Sequence, residues 1–281
     1  MKILLLGSSG KMGTAIRKVF GKENLILKNS KDFDALNLES VNKVLNACSP
    51  EIIINTVAYM GIDDCEKYPE KALRINTLYP KYLAQYCYKK NIIFINFSTD
   101  AVFDGKRRKF YTENDIPLPV NIYGYTKLGA DIFIQNKLQR YYLIRIPILF
   151  GPYHKDTQFV EKMLKKGITD KNIKIANDIF SSPTFSIDIA KQIKKLIKQR
   201  YDFGLYHVAN AGVASLYEFF NKIVEALELN IKIEEGSYKD FPFIGEKNLY
   251  TPLKSVKIAE MQKWEDAVKE YCINFLKDYK K

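Results

Sequence analysis

Apolar runs without polar alternation recur along the chain at Ile3–Leu6, Leu25–Leu27, Ile52–Val57, Ile92–Phe97 and Tyr142–Ile146. A strand with one wet face alternates with period two, so unbroken runs read as strands covered on both faces of a parallel sheet. Between them the apolar positions take up helical spacing: Met12, Ile16, Val19 and Phe20 follow the first run, and Ser40–Ala47, Pro80–Tyr88 and Tyr123–Gln139 follow later ones. Pro80 falls near a predicted helix start, where a missing N–H costs little. Strands alternating with helices predict a doubly wound α/β fold.

After Gly151-Pro152 the alternation weakens. Phe159–Leu164 reads as helix, Ile173–Ala176 as strand and Ser181-Ser182-Pro183-Thr184 as loop, before a helix at Ile187–Ile197 and a strand at Leu205–Val208 rejoin the sheet. Beyond Ser215, helical runs at Tyr217–Leu227 and Trp264–Leu276 flank a polar, aromatic-rich loop over Tyr238–Tyr250. There is no internal repeat and no low-complexity segment. The expected division is a Rossmann-type nucleotide-binding domain over 1–147 and 184–212, with a smaller discontinuous substrate lobe over 148–183 and 213–281.

Composition adds little to this picture. With 281 residues, 47% of them hydrophobic, the chain can bury a large core. Cys48, Cys65, Cys87 and Cys272 lie far apart without a Cys-x-x-Cys pair, so reduced thiols are expected rather than a zinc site or disulfides. The 44 Lys+Arg against 32 Asp+Glu leave a charge of +12, but the lysines are spread as on a solvated surface, and no nucleic-acid partner is expected. The aliphatic run after Met1 is too short for a signal or a membrane span, which points to a cytoplasmic protein with no membrane partner.

The first run breaks at Gly7-Ser8-Ser9-Gly10-Lys11-Met12-Gly13. Glycines where a strand becomes a helix let backbone N–H groups approach an anion, and a pyrophosphate there would satisfy those donors. The spacing differs from the common Gly-x-Gly-x-x-Gly fingerprint, and a plain βα turn is the alternative. The second strand ends Leu27-Lys28-Asn29-Ser30-Lys31, with nothing negative where NAD sites place an acid. Lys28 and Ser30 suit a 2′-phosphate, favouring NADPH over NADH, and Asp34 suits the adenine.

Tyr123 and Lys127 stand four residues apart, on one helix face. At about 4 Å and an effective dielectric of about 20, an ammonium lowers a phenol's pKa by on the order of 3 units. Tyr125 has only Gly129 at that spacing. The pair follows the strand ending Ser98-Thr99-Asp100, whose hydroxyls would meet the phenol at the carboxyl edge of the sheet.

Taken together, GSSGKMG, NTVAYMGIDDCE, RINTLYP, FSTDAVFDG, NIYGYTKLGAD and DIFSSPTF resemble the extended short-chain dehydrogenase/reductases, and within them the dTDP-4-dehydrorhamnose reductase family. The resemblance runs from the amino terminus to Phe185 in the family's order. It implies that Tyr123 protonates the substrate carbonyl oxygen as hydride arrives from a nicotinamide. Lys127 would hold the ribose and lower the tyrosine pKa, Thr99 would bond the same oxygen, and Asn76 would position a water relay. Gly7, Gly10, Lys11, Met12 and Gly13 would line the pyrophosphate, Lys28 the 2′-phosphate, Asp34 and Ala35 the adenosine, and Val57, Ala58 and Tyr59 the inner cofactor wall. Asp100 would approach the sugar of a nucleotide-diphosphate substrate. No metal is implied, and a homodimer is compatible with the reading.

Departures fall on the substrate side: Ala101 replaces a tyrosine, Ile148 in Arg145-Ile146-Pro147-Ile148 falls where a Thr-Ser-Trp run is usual, and Lys247-Asn248 replaces Arg-Pro. RIPILFG also resembles the regulatory β subunit of methionine adenosyltransferase, so a non-catalytic NADP-binding subunit is the second reading. A sugar-nucleotide epimerase or dehydratase is the third, and Ala101 after Asp100 argues against a dehydratase. Retention of Thr99, Tyr123 and Lys127 favours a reductase in polysaccharide or nucleotide-sugar biosynthesis. His207 reads as a hydrogen-bonded structural residue, while His154 faces either the sugar diphosphate or water.

Overall fold

The computed structural model describes residues 1–21, 25–153 and 158–280; His154 lies outside the described residues. Its central sheet has six strands, β1 (Ile3–Leu6), β2 (Leu25–Lys28), β3 (Ile52–Asn55), β4 (Ile93–Thr99), β5 (Tyr141–Ile146) and β6 (Gly204–His207), in the order β6-β5-β4-β3-β1-β2. Every pairing is parallel. The chain leaves β1 for β2 on one side and returns to β3 on the other, and ligands of such sheets lie in the crevice where the order reverses.

Alternate residues of the strands serve opposite faces. Leu4, Leu6, Ile53 and Phe94 pack with Leu45 and Leu83, which belong to the helices Leu38–Cys48 and Tyr79–Lys90. Ile3, Leu5, Ile52, Ile54 and Ile95 pack with Ile16 and Ile193, from the helices Lys11–Phe20 and Ser186–Lys198. Both faces are dry, which explains the missing polar alternation. The second cluster continues through Val160, Leu164, Ile173, Phe219 and Tyr271, so one apolar interior joins the carboxyl-terminal elements to the sheet.

Two features carried no signal in the pattern. Lys232–Gly236 forms a strand paired in parallel with Asn172–Ala176, its charged residues facing outward in part. Ahead of Pro80 the chain is already helical, from Pro69 through a wide π turn at Arg74–Leu78 whose Tyr79 N–H reaches back to the Arg74 carbonyl. A proline within a helical run has no N–H for the residue four positions back and crowds its carbonyl, and widening the turn relieves both. Cys48, Cys65, Cys87 and Cys272 are buried free thiols. No described helix is long and apolar enough to cross a membrane.

Candidate active site

Asn121 caps the helix Ile122–Lys137: its side-chain oxygen accepts the Gly124 N–H at 2.9 Å. Its amide nitrogen donates to the Glu246 carbonyl and to Asn248 Oδ1, each at 2.9 Å, tying the helix start to the carboxyl-terminal lobe. Gly124 lets the first turn close on the Ala101 carbonyl, which a Cβ would approach to 2.2 Å. This seats Tyr123 on the same cleft as Thr99, at the tip of β4.

Burial raises the Tyr123 pKa well above the ordinary phenol value; Thr99 opposes this, and the charge of Asp100 adds to it. Lys127 follows one turn later on the same helix. Its ammonium donates to the Phe97 carbonyl at 2.5 Å. Burial pushes its own pKa down to about 8, against the attraction of Asp131. The expected lowering of the phenol pKa is thus reversed: desolvation is the largest cause, and the nearby carboxyl groups add to it against Thr99. A phenol that keeps its proton at neutral pH is in the state a proton donor needs.

Asp100 accepts hydroxyls from Thr99 at 3.0 Å, Ser181 at 3.1 Å and Thr251 at 2.7 Å. Burial raises its pKa against those bonds. Its oxygens therefore draw together the sheet edge, the short strand Phe180–Ser181 and the carboxyl-terminal segment around Thr251. Beside it lies a cleft of about 280 Å³ bordered by Met60, Ile62, Thr99 and Tyr123. Ala101, Ile148 and Lys247, the departing positions, border the same cleft. Lys247 Nζ lies 3.3 Å from Asp63 and 3.9 Å from the centre of the Phe243 ring.

On the glycine-turn side, the Gly7 and Ser8 N–H groups both go to the Lys28 carbonyl at 2.9 Å. Packing dictates Gly13, whose Cβ would fall 2.3 Å from the Gly7 oxygen. Gly10 is different: its φ is −75°, and a Cβ would meet only the Gly7 oxygen, at 3.5 Å. No side chain caps the helix there, and the first intrahelical bond is Thr14 N–H to the Gly10 carbonyl at 2.8 Å. Helix geometry leaves the N–H groups of Lys11, Met12 and Gly13 without an intrahelical acceptor, a seat for an anion.

The side chains nearby are partly spent. Buried Lys11 pairs with Glu161 Oε1 at 3.0 Å, leaving its backbone N–H for the turn, and Met12 is buried in the core. Lys28 pairs with Asp32 at 3.2 Å, which corrects the expectation that nothing negative stands beside a 2′-phosphate. Exposed Asp34 accepts the Leu36 N–H at 2.9 Å, with half-buried Ala35 next to it. Asn55 donates to Asn96 at 2.8 Å and accepts the Val57 N–H at 3.2 Å, fixing the start of the loop that carries Ala58. From the π turn, Asn76 grips the Tyr59 backbone, accepting its N–H at 2.8 Å and donating to its carbonyl at 2.9 Å and to Thr126 Oγ1 at 3.2 Å. Its amide thereby holds that loop in place.

The RmlD substrate binding domain family matches residues 1–277. The chain belongs to this family. It is 30% identical over 277 residues to the spore coat polysaccharide biosynthesis protein SpsK of Bacillus subtilis, covering 96% of each chain. It is 25% identical over 287 residues to a dTDP-4-dehydrorhamnose reductase of Aggregatibacter actinomycetemcomitans, covering 95% of this chain and 97% of that one. Among solved structures, the dTDP-4-dehydrorhamnose reductase of Bacillus anthracis in complex with NADP superposes with a TM-score of 0.91 at 27% identity, over 97% of this chain and 99% of that one. A Thermus thermophilus UDP-glucose 4-epimerase, 14% identical with a TM-score of 0.84, shares the fold over 98% of this chain and 99% of that one. The Rossmann-type fold and the family resemblance are both borne out.

The family's Tyr-x-x-x-Lys helix carries a further group that spacing alone could have revealed. Asp131, four residues after Lys127, is fully buried; its Oδ2 accepts Ser98 Oγ at 2.8 Å and lies 3.3 Å from both Nε and Nη2 of Arg145. His207 is also buried, with Nδ1 at 3.1 Å from the Tyr111 carbonyl and burial pushing its pKa down to about 4.

Proposed function

We propose that the protein is an NADPH-dependent reductase of a nucleotide-activated 4-keto-6-deoxy sugar, acting in the cytoplasm in polysaccharide or nucleotide-sugar biosynthesis. The observation that carries this reading is the placement of Thr99 and Tyr123 on one cleft at the carboxyl edge of the sheet, with Lys127 on the same helix. The names of its relatives and the NADP bound by the Bacillus anthracis enzyme support it. Gly10, whose missing Cβ no packing demands, and the free donors of the following turn fit a pyrophosphate. They would hold the cofactor with Lys28, Asp34, Ala35 and the 57–59 loop.

A nicotinamide held there would supply the hydride. Tyr123 gives its phenolic proton to the ketone oxygen as negative charge develops there, and the Thr99 hydroxyl, rotating off Asp100, donates to the same oxygen. Lys127, as ammonium, holds a ribose hydroxyl and balances the phenolate that proton transfer leaves. Because its pKa lies near 8, the charged form is lost as pH rises through that value, and kcat is expected to fall on the alkaline side of about 8.

Incubation with NADPH and a panel of dTDP-, GDP-, UDP- and CDP-4-keto sugars, following absorbance of the reduced nicotinamide, tests the reading. Oxidation with one of them supports it. Tight NADPH binding without oxidation by any would favour the regulatory-subunit reading. Asp32→Asn frees Lys28 and is expected to lower the KM for NADPH about two- to fivefold, the size of an exposed ion pair, with the KM for NADH unchanged. Equal effects on both cofactors would separate Lys28 from the 2′-phosphate.

A further inference from the structure

Lys127 and Asp131, on the helix that carries Tyr123, and Arg145, on β5, are charged side chains buried in the interior. Their residues are 4%, 0% and 2% exposed, respectively, so each is cut off from solvent. Lys127 and Asp131 share a helix face one turn apart. Arg145 reaches Asp131 from β5, where it sits in register with Ser98 of β4, and Ser98 donates to the same carboxylate oxygen. The carboxylate is thus fixed from two strands, while the ammonium is fixed by the Phe97 carbonyl of β4.

Resting on the reductase reading for its functional meaning, we propose that Asp131 is a positioning residue. Pinned by Arg145 and Ser98, it is the buried counter-ion of the Lys127 ammonium. Without it the interior would hold two cations and no compensating anion, a state relieved most readily by deprotonating the lysine. Arginine stays charged in proteins, so lysine is the group that yields.

The other groups around Lys127 do not take over this work. Cys65, from the short helix Ile62–Lys67, has its thiol pushed up to about 11 by burial, so at neutral pH it is not an anion; Asp64 and Glu66 of that helix act on the thiol. Glu66 also accepts the Ile122 N–H at 2.9 Å. From the helix Tyr79–Lys90, Lys81 lies over the Phe133 ring. Asp100, at the end of β4, is engaged by three hydroxyls and acts on Tyr123. Asp131 exerts the largest attraction on Lys127, and it opposes the desolvation that lowers the lysine.

The test reads Lys127 directly. Carbon-13 at the lysine Cε is followed by NMR across pH, with Lys127→Met to assign the resonance, in the wild type, Asp131→Asn and Asp131→Glu. The Lys127 midpoint is expected to fall by at least about one unit in Asp131→Asn and to return most of the way in Asp131→Glu. In turnover, the alkaline limb of kcat should move to lower pH by the same interval, with activity recovered on acidification. A residue that merely supports the fold would lower kcat evenly at all pH values and leave the midpoint alone.

An unchanged midpoint in Asp131→Asn overturns the proposal, as does a midpoint in Asp131→Glu as low as that in Asn. If Asp131→Asn fails to fold because Arg145 is left unpaired, Asp131→Asn with Arg145→Gln removes both charges, and a fall in the Lys127 midpoint, smaller because a neighbouring cation has gone with the anion, is still required. A displaced midpoint in a wild-type background that turns over no 4-keto sugar would uphold the counter-ion and defeat the reductase reading. The two failures are therefore distinguishable.

Discussion

Tyr123→Phe binds NADPH as the wild type does and loses turnover by about two to four orders of magnitude, the range for removing a general acid. The hydroxyl that is removed is the proton donor, and the ring that remains fills the same space. Thr99 is not orphaned by the change, since it still donates to Asp100 at 3.0 Å and accepts the Ala101 N–H at 3.1 Å. Fluorescence titration with NADPH and steady-state rates with the accepted sugar check the two halves separately. A variant turning over at the wild-type rate would remove Tyr123 from the chemistry, because no other change in the site accompanies it.

The second large effect separates two glycines of one turn. Gly13→Ala is expected to cost about 3 kcal/mol or more, as its methyl must enter space held by backbone atoms that cannot rotate away. Those atoms are the Gly7 oxygen at 2.3 Å and Ser8 Cα at 2.7 Å. Gly10→Ala meets only ordinary contact at 3.5 Å and should melt within a degree or two of wild type. Its methyl should nevertheless weaken NADPH binding by about tenfold or more, because it stands where a pyrophosphate would approach the backbone. Thermal melts and NADPH titrations of both variants decide it. Full NADPH affinity in Gly10→Ala would mean that the turn seats no phosphate.

The sheet strands were legible because burial on both faces leaves an unmistakable trace, an apolar run with no alternation. The glycine turn and the Tyr123–Lys127 spacing were legible for a similar reason: each depends on neighbours within one helical turn. Lys232–Gly236 was not, since an edge strand rich in lysine and glutamate shares its composition with a loop, and only its partner Asn172–Ala176 makes it a strand. Lys28 looked free in the sequence although Asp32 stood four residues on, and the ion pair of 3.2 Å is visible only once the loop between them is folded. The sign of the tyrosine shift was misjudged because a pairwise Coulomb sum omits desolvation, and desolvation depends on what the rest of the chain packs around the phenol.

By itself, the sequence determined the succession of the six sheet strands with their crossover helices and the family, and it named the candidate proton donor and the candidate phosphate turn, because those properties reside in local periodicity and short spacings. The tertiary structure alone decided which charges are shared. It gave Glu161 to Lys11 across 150 residues, Thr251 to Asp100 across 151, and Arg145 of one strand to Asp131 of a helix packed on its neighbour. Charges in a dry interior are governed by whatever comes within a few ångströms, and a linear pattern holds no record of which distant residue that will be.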